Sequence, residues 1–191
     1  MRHRKRGRKL GRSPSHQRAL RKNLAAALFL TERVPLEFEE NKPKVKGRIV
    51  TTLEKAKEVR PYVERCVTIA RRALPALERA QSLATTAERN SEAWKAWRQG
   101  DGWQQWARAM APVVAARRRV LSMIGDKQAV RIVFDTVAPR FADRPGGYTR
   151  ILRLAKPRLG DAGTRAILEF VGTSDRKPRR APRPTFEATA T

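Results

Sequence analysis

Acid and sulfur are what this chain has least of. Only 18 of its 191 residues are Asp or Glu, against 43 Lys or Arg, for a formal charge of +25. Cys66 is the single cysteine, which excludes a disulfide scaffold and a zinc site built on cysteines. The longest apolar run, Leu24 to Leu30, is far short of the roughly 20 residues that a spanning helix needs. Residues 1–18 (MRHRKRGRKLGRSPSHQR) are Arg-rich and acid-free, as in a transit peptide. They lack the amphipathic apolar face of one, and no apolar stretch follows as a secretory signal requires, so Met1 reads as the working N-terminus. No acid pair, Ser-His-Asp set or metal-ligand cluster stands out, so neither an enzyme nor a cofactor or metal site is expected.

What is present is uncompensated positive charge. At 40% hydrophobic the chain can bury one modest core. Excess cations destabilise a lone compact chain by self-repulsion, and a polyanion relieves it. Residues 1–30 carry ten Lys/Arg and no acid, and residues 113–173 carry twelve against five. The stretch 75–112 is nearly neutral, with five against four, and holds all four tryptophans. That shift marks a different kind of segment.

Residues 1–12 have too few apolar groups to offset ordering entropy, and read as a flexible basic arm. Ser13-Pro14 is a helix start, and Leu20, Leu24, Ala27 and Leu28 recur at helical spacing behind it. Residues 31–47 read as a loop. Residues 48–52 (RIVTT) predict a short strand, and Thr51-Thr-Leu-Glu54 a capping box opening a helix to about Leu74. Pro61 should kink that helix, and Pro75 could begin another. Asn90-Ser91 and Asp101 are further N-cap candidates, with Gly100 a stop between them. Gly125-Asp126 ends one helix and caps the next, which Pro139 ends. Tyr148 to Leu154 and Arg165 to Val171 predict strands, Leu152 and Leu154 sharing one face and Ala166, Leu168 and Phe170 another. Residues 174–191, rich in Pro and Arg, predict a disordered or bound tail.

Three separated blocks carry a resemblance. The start MRHRK..G.KL.R..SH, the stretch RIVTTLEKAKEVRPYVE and the stretch PRFADRPGGYTRIL resemble, in order and spacing, the bacterial large-subunit ribosomal protein seventeen family. The resemblance covers about residues 1–30, 48–74 and 113–172. It implies an α+β domain and contacts with large-subunit rRNA near the polypeptide exit side, in the cytoplasm and without catalysis. The fold expected is two-layered, with helices on a small three-stranded mixed sheet, residues 13–74 and 113–173 forming one domain. Residues 75–112 and 31–47 are departures from the family pattern.

Arg2, Arg4, Lys5, Arg6, Arg8, Lys9 and Arg12 are cations on a chain without a core, suited to thread between RNA helices where phosphates converge. His3 and His16 sit among them, as RNA-stacking or hydrogen-bonding groups or as idle exposed ones. Ser15, Arg18, Arg21 and Lys22 continue the block, although the family usually has Arg where Gln17 and Lys22 stand. A second candidate is Arg144-Pro-Gly-Gly-Tyr-Thr-Arg150. There Gly146 and Gly147 would let the backbone approach a phosphate, Tyr148 would offer a stacking ring, and Arg140, Arg144 and Arg150 surround it. The alternative is a structural turn with Tyr148 packed on the sheet. Arg117 to Arg119 is a solvated face or an rRNA contact. Trp94, Trp97, Trp103 and Trp106 would staple a helical hairpin, dock a neighbouring ribosomal protein or stack on bases. Set against the ribosomal reading is a general, nucleoid-type nucleic-acid-binding protein, which shares the charge.

Overall fold

A computed structural model describes residues 7–8, 10–35 and 38–172. Helix α1 (Pro14–Leu30) leads to strand β1 (Arg48–Thr52), which runs directly into the long helix α2 (Leu53–Ser82). Helices α3 (Glu92–Gln99), α4 (Asp101–Ile124) and α5 (Lys127–Ile132) follow. A π-helical turn (Val133–Val137) and a last helical turn (Ala138–Arg140) precede strands β2 (Thr149–Arg153) and β3 (Arg165–Phe170).

The fold is α+β, helices on a three-stranded sheet ordered β1-β3-β2. Both pairings are antiparallel, so the sheet is not mixed as the sequence suggested. β2 and β3 form a hairpin, and β1, arriving from the other end of the chain, pairs with the far side of β3. Alternation puts Ala166, Leu168 and Phe170 on the core face, all fully buried. Opposite them in register lie Ile49 and Thr51 on β1 and Thr149 and Ile151 on β2. Leu152 therefore points away from the core and is exposed, and Leu154 lies beyond the strand.

The buried stripe of α2 matches its sequence period: Leu53, Ala56, Val59, Val63, Cys66, Val67 and Ala70 all face the core. Its ends differ from expectation. Thr52 is the N-cap and makes no side-chain cap bond, so the capping box does not form. The helix also runs unbroken through Pro61 and Pro75. Both prolines are exposed, so water can reach the carbonyls that lose their amide partner, and buried residues on the other side hold the helix together. Consequently 75–82 belongs to α2 and 101–112 to α4, and the boundaries drawn at 75 and 112 fall inside continuous helices. Ala73, Ala76 and Ala80 of α2 are buried, as is Val113 of α4.

Several caps follow the sequence. The Ser13 hydroxyl accepts from the His16 amide, Ser91 from the Trp94 amide at 3.2 Å, and Asp126 from the Ala129 amide at 2.7 Å. Asp101 is not a cap; Gly100 occupies that place and Asp101 is the first residue of α4. Pro139 is followed by one further helical residue, Arg140, so the helical stretch ends where the sequence places its stop. A wider π turn lies just before it, with Val133, Phe134 and Val137 buried.

Among the described residues no helix is long and apolar enough to cross a membrane. Nor does any group of three or more His, Cys, Asp or Glu there assemble a metal site.

Candidate nucleic-acid interface

Arg2, His3, Arg4, Lys5, Arg6 and Lys9 lie outside the described residues, as does the tail from 173 onward. The root of the arm is described, and an acid holds it. Glu58 of α2 accepts from the Arg8 backbone amide at 3.1 Å and from the Arg21 guanidinium at 2.9 Å. Arg12 donates to Nε2 of His16 at 2.9 Å, and its carbonyl accepts from the Gln17 side chain at 2.9 Å. Ser15, His16 and Arg18 are exposed on the first turns of α1, and Lys22 is half-buried. Arg12, Ser15, His16 and Arg18 thus share the N-terminal end of α1, while Arg21 is spent largely on Glu58.

The second candidate separates into parts. Tyr148 is fully buried, its ring 5.2 Å from that of Phe141, so it offers no face to a base. The stacking role expected for it is overturned: Tyr148 stands at the mouth of β2, where the turn feeds its ring into the core. Its hydroxyl is buried with no hydrogen-bond partner. Arg140 makes a two-toothed ion pair with Glu32, at 2.8 and 3.0 Å. That hydrogen bond, ahead of any other cause, raises the guanidinium pKa. Arg150 reaches Glu169 at 2.5 Å. Both arginines therefore close internal pairs rather than present open forks. Arg144, Gly146 and Gly147 remain exposed. Gly147 has φ +64°, where a side chain would strain the turn.

Sequence reading missed the groups that organise these sites. Arg71 of α2 donates to the carbonyl of Arg144 at 3.0 Å, tying the Gly-Gly turn to the helix. Glu32, Glu58 and Glu169 are the acids that sort the arginines into paired and open ones. No periodic signal marks them, because each partner comes from a distant part of the chain. Arg117 pairs with Asp135 at 3.4 Å and lies over the Phe134 ring, whereas Arg118 and Arg119 are exposed.

The tryptophans form two layers. Trp97 and Trp106 meet edge-on, 6.1 Å between centroids, joining α3 to α4. Arg98 lies between Trp94 and Trp103, 5.4 and 5.0 Å from their rings. All four rings are half-buried.

The model of the family "Ribosomal protein L17" matches residues 20–171. The chain belongs to the ribosomal protein L17 family. That family is a structural ribosomal component and not a family of enzymes. The large ribosomal subunit protein bL17 of Rhodopirellula baltica is 65% identical over 190 residues, covering all of this chain and 90% of the relative. Those of Allorhizobium ampelinum and Thermus thermophilus are 37% and 35% identical, each over 171 residues and 90% of this chain. They are covered to 82% and 99% of their own lengths. The L17 match takes in α2, the Gly-Gly turn and the whole sheet, and begins at residue 20, behind the first turns of α1.

Proposed function

We propose that this chain is a structural constituent of the large ribosomal subunit in the cytoplasm, binding and stabilising folded rRNA near the polypeptide exit side. The observation that carries it is family membership joined to an acid-free basic start whose root is anchored on α2 by Glu58. Cations of the arm neutralise converging phosphates, and the α+β core sets their direction. Residues 2–12, Ser15, His16 and Arg18, with Arg144, Gly146 and Gly147, are the RNA-facing groups. Contacts with neighbouring ribosomal proteins fall to the half-buried tryptophans Trp94, Trp97, Trp103 and Trp106.

Sucrose-gradient sedimentation at moderate salt tests this. Stoichiometric co-migration with the large subunit is expected, whereas a nucleoid-type protein would stay with chromosomal material. Deleting residues 2–12 should weaken incorporation and flatten its salt dependence. With ~8 phosphate contacts the log–log slope would be about −6 by the single-strand coefficient.

A further inference from the structure

The outward side of α2 has an order that the arm and the turn do not use. Each residue of an α-helix advances by ~100°, so Lys57, Pro61, Arg65, Thr68, Arg72, Pro75 and Arg79 fall within an arc of ~80°. That arc is opposite the buried stripe through Val59, Val63, Cys66 and Ala70. Every member except the half-buried Thr68 is exposed. Arg65, Arg72 and Arg79 stand two turns apart, a line of cations ~10 Å from one to the next on a rigid rod.

The acids of the helix do not neutralise that line. Glu54 sits at its start, and Glu58 is held by Arg8 and Arg21. Glu64 takes Arg60 at 3.1 Å and the Thr149 hydroxyl at 2.9 Å. Glu78 points ~100° away from Arg79. Among the described residues no carboxylate forms an ion pair with Lys57, Arg65, Arg72 or Arg79. Elsewhere in the molecule, Arg33, Arg48, Arg140 and Arg150 are all paired with Glu. By that contrast the α2 stripe is an ordered face on which positive charge is left open, as it also is at the exposed Arg118 and Arg119 of α4.

Two neighbours make the stripe continuous with the RNA-facing groups already described. Gly7 at the root of the arm lines an open hollow of about 410 Å³ together with Glu58, Pro61 and Arg65. Arg71, beside Arg72, holds the loop that carries Arg144. The root of the arm therefore lies at one end of the stripe, and the Gly-Gly turn flanks its middle.

We infer that the solvent face of α2, through Arg65, Arg72 and Arg79, is a further rRNA-binding surface that carries the contact from the arm root along the helix. This rests on the ribosomal reading above and adds the residues that read the backbone. RNA fits better than a protein partner for two reasons. An open cation line whose only apolar members are two prolines, with no aromatic or large aliphatic side chain, suits phosphates rather than a protein interface core. Pro61 and Pro75 also deprive the carbonyls of Lys57 and Arg71 of their usual amide donor, leaving acceptors that a ribose 2′-OH can meet.

The test compares full-length chain, the 2–12 deletion and the triple variant R65Q/R72Q/R79Q for binding to purified large-subunit rRNA across a salt series. Glutamine keeps helix propensity, and an unchanged far-UV spectrum with a melting temperature no lower than that of the unaltered chain shows that the variant is folded. The triple variant should bind at least ~10-fold more weakly at about 0.15 M salt, with a slope shallower by about 2–3. R65K/R72K/R79K, which retains the charge, should keep the wild-type slope. If the unaltered chain fails to bind, the ribosomal reading itself fails. If it binds and the glutamine variant matches it in affinity and slope, only the α2 surface is overturned. A photo-crosslinker at position 72 should yield an RNA adduct in the assembled subunit; an adduct to a neighbouring protein instead would overturn the inference.

Discussion

Glu169 lies on the outward face of the sheet yet is only 1% exposed, because Arg48 and Arg150 close over it from the strands on either side. All three stand opposite one another in register. Removing the charge leaves two guanidiniums facing one another. Breaking a fully buried pair costs about 3–5 kcal/mol, and roughly a third of each arginine is in water, so Glu169→Gln should cost ~2 kcal/mol in chemical denaturation. A loss under ~0.5 kcal/mol would mean the clasp is ornamental to stability. Cys66 is fully buried on α2, and burial pushes its thiol from 9.0 up to about 12. The native protein should therefore resist alkylation at pH 8 and react only once unfolded, as a mass-shift assay would show. Because folding keeps this proton, the thiol's contribution to stability is complete below pH 9.0 and falls as pH rises towards about 12. Against Cys66→Ser, the wild type should lose stability more steeply through that window.

Helix α2 organises the molecule at the next scale. It packs on all three strands and on α1 and α4, and its outer side carries two prolines that propensity alone would place at a break. Pro61→Ala restores an amide on an exposed turn. An interior proline costs a helix ~3 kcal/mol, partly offset by the stiffness proline gives the unfolded chain, so the variant should be stabilised by ~1–2 kcal/mol. A lower melting temperature would show that Pro61 has a packing role beyond its backbone. In the α3–α4 corner, a Cβ on Gly102 would come within 2.8 Å of the Trp97 ring. Gly102→Ala should displace Trp97 from Trp106 and change the near-UV dichroism while leaving the melting temperature of the domain nearly unchanged, since α3 has no buried residue.

At the scale of the whole molecule, a charge of +25 on 191 residues sets the conditions for folding. Like charges repel across the surface, and salt screens them over a Debye length of about 8 Å at physiological ionic strength. The melting temperature of the isolated protein should rise with salt between about 0.05 and 0.5 M, and rise at low salt on adding a polyanion. A flat response would show that internal pairs such as Arg140–Glu32 and Arg150–Glu169 already offset the repulsion.

By itself the sequence determined the family, the α+β class, the buried stripe of α2, the core face of β3 and the caps at Ser13, Ser91 and Asp126. These are local properties: period, alternation and hydrogen bonds between residues three apart, all readable from neighbouring letters. The tertiary structure alone decided which arginines are open. Arg140 and Arg150 look like Arg65 and Arg72 in sequence. They differ only because Glu32, 108 positions away, and Glu169, on the partner strand, fold against them. The burial of Tyr148, the passage of α2 through its prolines and the all-antiparallel sheet have the same origin. Each depends on what lies across space from a residue, and contacts of that range leave no period along the chain.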